Sequence, residues 1–337
     1  MPGHKTSFAN VLSARAMAAA AALAVVAAPA LAQSDAWNPS RNVEIVVGVG
    51  PGGGIDRTAR LVQRILQDRK LLDVTASVVN KPGGGGRIAQ AYLDQHAGDA
   101  HYLQITATSL LTNHILGKSK HGYGEVTPVA MLYDEYIGFA VTADSPIASG
   151  KDLVQALRDR ASELPIGIAT SAGNTNHIAA GLVAKAAGID VRTLKVVVFN
   201  SGGESMRQLL GGHVALVITP SANLIGHIQQ GRMRGLAIAA PARLEGPLAS
   251  VPTWKEQGVG AVVANWRPIV GPKEFSRAQV AYWEGVILKV TDTPEWKAEL
   301  ARTGGVSHYL ASDALKRFFE SQYADFKAVL TDLGLAR

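Results

Sequence analysis

The sequence predicts an α/β fold of two lobes, each a mainly parallel sheet flanked by helices. Three observations lead there. Short runs rich in β-branched residues alternate with stretches of helical spacing, the pattern of a doubly wound sheet. That alternation occurs once before Val141 and again after Ile166. A chain of 337 residues is also more than one compact core ordinarily serves.

The first unit sets the design. Val43–Val47 reads VEIVV, a strand buried on both faces. Gly48, Gly50, Gly52, Gly53 and Gly54 follow around Pro51. Then Ile55, Ala59, Val62 and Leu66 recur at helical spacing, with Arg57, Arg60 and Arg64 between them. A second strand over 74–79 runs into Asn80-Lys81-Pro82 and four glycines, with a helix from Ile88. A third, over 102–108, ends in the polar turn Thr108-Ser109. Further β runs cover 129–132 and 139–141, and an amphipathic helix covers 151–161. In the second half Ile166–Ala169 is a strand, followed by Thr170-Ser171-Ala172-Gly173-Asn174-Thr175-Asn176-His177 and an apolar helix to Ala187. The strand 194–199 leads into Asn200-Ser201-Gly202-Gly203-Glu204 and a helix over 205–210. Strands follow at 214–219, closed by Pro220-Ser221, and at 236–240. From Ser276 the chain is mostly helical, over 280–288, 294–302 and 314–333, with Ser312-Asp313 as the cap of the last.

The first thirty-two residues stand apart. Lys5 and Arg15 form a positive start, residues 16–28 are apolar and mostly alanine, and Ala30-Leu31-Ala32 is a small-x-small cleavage site. This is a secretory signal peptide, so the mature chain is expected to begin near Gln33, in a periplasm. The chain has no cysteine, which excludes disulfides, thiolate metal sites and cysteine nucleophiles. Without the leader its 33 basic residues become 31 against 27 acidic, a net charge of +4. So mild and dispersed an excess suits a small anion better than nucleic acid.

Glycine lets backbone N–H groups approach a ligand, and a helix start leaves several of them unpaired. Each glycine loop therefore favours an anion, although for any one of them a tight turn without a ligand reads the same. What rises above that is repetition: four loops share the plan of strand, Gly/Ser/Asn turn and helix, two in each lobe. If the lobes face each other, four helix starts converge on one cleft outside the carboxyl ends of the strands.

Other chemistries fare worse. Gly48-x-Gly50-x-x-Gly53 matches the dinucleotide fingerprint, but the next strand ends in Val79-Asn80-Lys81 where the ribose needs an acid. Gly117-Lys118-Ser119 has Thr112 where a P-loop needs its first glycine. The nine histidines include no His-Glu-x-x-His and no pair with metal-ligand spacing. No Gly-x-Ser-x-Gly elbow occurs, and Ser171 with His177 reads better as a helix start than as nucleophile and base. No cofactor, metal or catalytic residue is expected. An exported α/β hydrolase and a ligand-presenting sensory receptor remain the alternatives.

Several segments together resemble a known family. Val49 to Asp56 (VGPGGGID), Asn80 to Gly86 (NKPGGGG), Phe199 to Glu204 (FNSGGE) and Leu209 to Val214 (LLGGHV) are similar to the extracytoplasmic receptors of tripartite tricarboxylate transporters, the Bug receptors. Gly235-Leu236-Ala237-Ile238-Ala239, Val251-Pro252-Thr253, and Asn265-Trp266-Arg267-Pro268 before Gly271-Pro272 extend the likeness over nearly all of the mature chain. The resemblance implies a two-lobed periplasmic binding protein with Venus-flytrap closure. It would hold a small di- or tricarboxylate as a monomer and hand it to a two-component membrane permease. The implied divisions are 33–138 and 256–337 for one lobe and 139–255 for the other. The implied ligand contacts are Val49, Gly50, Gly52, Gly53, Gly54 and Asp56, then Thr108 and Ser109, Ser171, Asn174, Thr175, Asn176 and His177, Asn200, Ser201 and Gly202, and Thr219. The chain departs from the family pattern at Gly48-Val49-Gly50, where relatives often have Pro-Phe-Pro. It departs again at Thr219, where an aspartate is common, which argues against an amino-acid ligand.

Overall fold

The computed structural model describes residues 37–337; the expected signal peptide lies outside them. Among the described residues no helix is long and apolar enough to cross a membrane. The chain begins with strand β1 (Val43–Val47), helix α1 (Gly54–Asp68), β2 (Ala76–Asn80), α2 (Arg87–Asp94), β3 (Tyr102–Ile105), α3 (Ser109–Ile115) and β4 (Val126–Asp134). A second series follows: β5 (Ile137–Thr142), α4 (Gly150–Arg160), β6 (Ile166–Ala169), α5 (Thr175–Ala186), β7 (Val196–Phe199), α6 (Gly202–Leu210), β8 (Leu216–Pro220), α7 (Ile225–Gln229) and β9 (Met233–Ile238). The chain ends with β10 (Arg267–Pro272), α8 (Arg277–Thr291), α9 (Pro294–Thr303), β11 (Val306–Ala311) and α10 (Ser312–Asp332).

Two sheets result. The first has the order β11-β4-β10-β3-β1-β2 and the second β7-β6-β8-β5-β9. Each contains the same parallel triplet, with the earliest strand in the middle. In the first, Ile45 of β1 faces Val78 of β2 and Leu103 of β3. In the second, Ile166 of β6 faces Val196 of β7 and Leu216 of β8. This arrangement makes β1 and β6 the switch points, the places where an open α/β sheet offers a crevice.

The α/β class and the helix-flanked sheets agree with the sequence reading, but the sheets are mixed rather than mainly parallel. Strand β10 runs antiparallel to β3 and β4, β11 to β4, and β5 to β8 and β9. The chain leaves the first sheet after Asp134 and enters the second at Ile137, so the strands flanking that passage meet their neighbours reversed. It comes back later than residue 256. Trp254 N donates to Ile238 O, Gln257 Nε2 to Leu236 O and Val263 N to Ala239 O, which keeps this stretch on the second sheet. An isolated bridge between Tyr136 and Ala264 marks the return.

Helix starts follow their local chemistry. Ser149 caps α4 by accepting from Asp152 N, and Ser276 with Gln279 forms a reciprocal capping box on α8. The expected Ser312-Asp313 cap is not made. The α10 cap position is Ala311, and Ser312 Oγ donates instead to Pro128 O, pinning the helix to β4.

One apolar cluster runs through both sheets. It joins Leu111 and Ile115 of α3 to Ile168 of β6, Val183 of α5, and Phe319 and Phe326 of α10. Trp266 is fully buried within it, its ring parallel to Phe326. Truncating a side chain buried this way costs about 3–5 kcal/mol, so α10 fastens the two sheets as well as closing the first.

Candidate functional site

Strand β1 ends at a crowded point. A Cβ on Gly48 would lie 2.7 Å from Gly86 Cα, so only glycine lets the loops after β1 and β2 pass each other. Gly52 has φ +81°, and its N–H donates to Asp56 Oδ2 at 2.8 Å. Asp56 is 1% exposed. Its carboxylate also accepts from Arg60 Nε at 2.9 Å and Asn80 Nδ2 at 2.8 Å, and that amide reaches Val49 O at 3.0 Å. Burial pushes the Asp56 carboxyl up. The bonds from Arg60, Asn80 and the Gly52 N–H outweigh it and hold the group below the usual carboxylate range. Asp56 is thus an internal brace of the loop, its acceptor oxygens already used. The brace leaves the α1 start free, where Gly53 provides no side-chain cap.

The loop after β6 is built differently. Asn174 caps α5, with Oδ1 accepting from His177 N at 3.1 Å and Nδ2 donating to Ala169 O and to Thr170 Oγ1. That amide is spent on the turn, so Asn174 has only backbone to offer a ligand. Thr170 sits at φ +72°, a costly conformation for a β-branched residue, and the Asn174 bond helps to hold it there. His177 Nδ1 accepts from Gly173 N at 3.1 Å, which puts the ring proton on Nε2. Burial holds its pKa below the ordinary value, so the ring is neutral and a donor. Asn176 is only 6% exposed, and among the described residues its side-chain amide has no hydrogen-bond partner.

The α5 start meets the α3 start at the junction of the sheets. Thr108 and Thr175, both nearly buried, share a hydroxyl hydrogen bond, and Lys118 Nζ donates to Ala172 O at 3.1 Å. Between them the crossing strands place a buried ion pair, Arg267 Nη2 to Glu135 Oε2 at 2.6 Å, with Arg267 4% exposed. Arg267 Nη1 donates to Asn265 O at 2.9 Å, while among the described residues its Nε has no partner. A Cβ on Gly54 would lie 3.8 Å from Arg267 Nη2, so the pair sits directly beside the α1 start. A recess of about 480 Å³, counting the solvent at its mouth, opens here, with Gly54, Arg57, Tyr133, Glu135 and Trp296 on one side and Ala222 on the other.

The four expected loops do not contribute equally. Those after β1 and β6, together with the Thr108-Ser109 turn after β3, approach the junction. Those after β2 and β7 follow the outer strands of their triplets. Asn200 and Ser201 are exposed, and both serve the α6 start: Ser201 Oγ accepts from Glu204 N, and Glu204 Oε2 accepts from Asn200 N at 3.0 Å. Gly202 lies near the end of β8, where Thr219 Oγ1 accepts from Asn223 Nδ2 at 3.0 Å. The sequence reading passed over Glu135, Ser221, whose buried Oγ has no partner, and Asn223. The first was visible only as an acid between two β runs.

A sequence profile described as "Tripartite tricarboxylate transporter family receptor" matches residues 59–335. The chain belongs to this family. Its members are receptors of tripartite tricarboxylate transporters. The receptor is 29% identical over 323 residues to a Cupriavidus necator protein described as "UPF0065 protein in gbd 5'region", covering 95% of each chain. Among solved structures it resembles an R. palustris protein with adipate at 25% identity and a TM-score of 0.78, covering 88% of this chain and 99% of that one. It also shares the fold of MatC from Rhodopseudomonas palustris with bound malate, at 22% identity and a TM-score of 0.73, covering 87% and 99%.

Proposed function

We propose that this receptor captures a small organic di- or tricarboxylate between its two lobes and delivers it to the membrane permease of its transporter. The observation that carries the reading is the meeting of helix starts from both sheets at the buried Thr108–Thr175 contact, beside the Arg267–Glu135 pair. Unpaired amides there favour negative oxygen atoms, and their bonds to a carboxylate are charge-assisted and strengthened when closure excludes water. The proposed ligand contacts are the backbone of 53–55, the Thr108-Ser109 turn, the amides of Thr175 and Asn176, the Asn176 side chain and His177 Nε2. Ser171, Gly202 and Thr219 line the second lobe's approach. Glu135 does not repel an anion, because Arg267 neutralises it. Thr219 supplies no charge for an ammonium group, which favours acids without an amine. Adipate and malate, carried by two proteins of the same fold, are of the right class.

The lobes divide between Asp134 and Ile137 and again near Ala264, and these two passages serve as the hinge. A ligand touching both lobes stabilises the closed form because only that form satisfies all of its contacts. The test is calorimetry of the mature protein with adipate, malate, citrate and aromatic dicarboxylates. One of them is expected to bind saturably and, at a hundred times its Kd, to add about 2.7 kcal/mol of stability. No heat and no melting shift across the panel would refute the reading.

A further inference from the structure

We propose that the first lobe carries a second ligand site, for a small oxyanion, in the polar pocket under the glycine turn that precedes α2. The pocket holds about 270 Å³, counting the solvent at its mouth, and every residue lining it comes from the β2–α3 region and the segment up to His121. It therefore lies within one lobe and adjoins the junction at Ser109.

Its floor is Gln104 of β3. This side chain is 1% exposed, its Oε1 is sealed from solvent, and among the described residues neither end of its amide is bonded. A buried amide left open is costly, and it calls for a partner inside the pocket it faces. With Oε1 sealed, the end of the amide open to the pocket is Nε2, a donor. Thr106, 7% exposed, adds a hydroxyl beside it.

The wall is a concave run of backbone. Gly84, Gly85 and Gly86 have φ of +59°, +67° and +94°, and α2 begins directly after them with no side-chain cap. The Gly86 N–H is returned to Gly83 O at 3.0 Å, so the free donors of this wall are the first amides of the uncapped α2 start. Arg87 donates Nε to Gly84 O at 2.9 Å and Nη1 to Lys118 O at 2.6 Å, which fixes its guanidinium at the rim with Nη2 unused. Among the described residues neither Arg87 nor Lys118 has an acidic partner. The nearest acid, Asp94, is already engaged by His121 at 3.1 Å and by Gln90 Nε2 at 2.9 Å. The pocket thus combines the Arg87 guanidinium at its rim, an uncapped helix start and a buried amide, a donor set that fits a tetrahedral or planar oxyanion. Lys118 also donates to Ala172 across the junction, so an ion here would steady the segment that spans the lobes.

The test is thermal unfolding of the mature protein against sodium sulfate, phosphate and acetate, with sodium chloride holding ionic strength constant. A saturable rise with one of the oxyanions is expected. It identifies the source, and its apparent Kd should increase at least tenfold in Gln104→Leu and in Arg87→Met. Dicarboxylate affinity should change less than twofold in both variants. Equal responses in wild type and both variants would overturn the proposal. So would a response that disappears in Asn176→Ala, since that ion would occupy the cleft between the lobes. A chain that takes no dicarboxylate yet keeps the Gln104-dependent shift would refute the transport reading alone.

Discussion

Replacing Asp56 by alanine tests how the glycine loop is held. The carboxylate is 1% exposed and accepts from Gly52 N, Arg60 Nε and Asn80 Nδ2. Removing one partner of a buried charged network typically costs 3–5 kcal/mol. Arg60 is half exposed, so water replaces much of its share. The remaining loss is the unsatisfied Gly52 N–H and Asn80 amide, at about 1–3 kcal/mol each. We expect a loss of about 3 kcal/mol, which lowers Tm by about 6 °C in a chain of this size. Urea unfolding of wild type and Asp56→Ala gives the difference directly. Its pH dependence supplies a second check. The folded pKa lies below the ordinary value, so the stabilisation is present above that value and is lost as pH falls through the folded one. The gap between the two proteins should hold from about pH 7 to pH 5 and shrink at lower pH. A loss under about 1 kcal/mol, or a gap unchanged in acid, would refute the brace.

Three further outcomes are expected. Gly54→Leu should abolish dicarboxylate binding while leaving Tm within about 2 °C, because its Cβ position meets nothing nearer than Arg267 at 3.8 Å and the longer chain fills the recess; retained affinity would move the ligand elsewhere. Thr175→Val keeps the shape but loses the bond to Thr108, so ligand affinity should fall about fivefold and small-angle scattering should show a more open apo form. The bond from Asp134 holds the His308 pKa above its ordinary value, so its stabilisation is complete below that value and fades as pH rises through the folded one. Denaturant midpoints of wild type and His308→Gln should accordingly converge between about pH 6 and pH 8, and a gap constant over that range would exclude the pair as its source.

The parallel triplets were legible because their strands are short apolar runs, each leading into a turn rich in glycine, serine, threonine or asparagine. Strand β10 was not: RPIVGP contains two prolines, tolerated because bulges in its pairing with β4 interrupt the ladder. Strand β11, VSHYLA, lies at the sheet edge and carries no continuous apolar run. Within the candidate site, the loops were legible in the sequence but the internal bonds of their side chains were not. An acid four residues after Gly52 looks like a ligand contact on paper. Only the fold shows that it turns back under its own loop, as Glu204 does to Asn200. The Glu135–Arg267 pair joins residues 132 apart in sequence, so no local pattern could announce it.

These internal acids explain how a cleft that favours anions can carry carboxylates of its own. Asp56 accepts from Gly52, Arg60 and Asn80, Glu204 from the Asn200 loop, and Glu135 from Arg267. Each is held by donors that would otherwise compete for the ligand, and each fixes a loop whose remaining amides point outward. Selectivity then rests on which backbone groups are left over rather than on a charged side chain aimed at the ligand. Such a cradle accepts many carboxylates at one end. Discrimination must come from the second lobe, where Asn176, His177 Nε2 and the Ser221–Asn223 turn differ in reach and hydrogen-bonding sense. A ligand too short to span from the α1 start to the α5 start would bind one lobe without favouring closure, since equal affinity for open and closed forms shifts nothing. Under the proposed function, length more than charge is therefore the property by which this receptor would sort its acids.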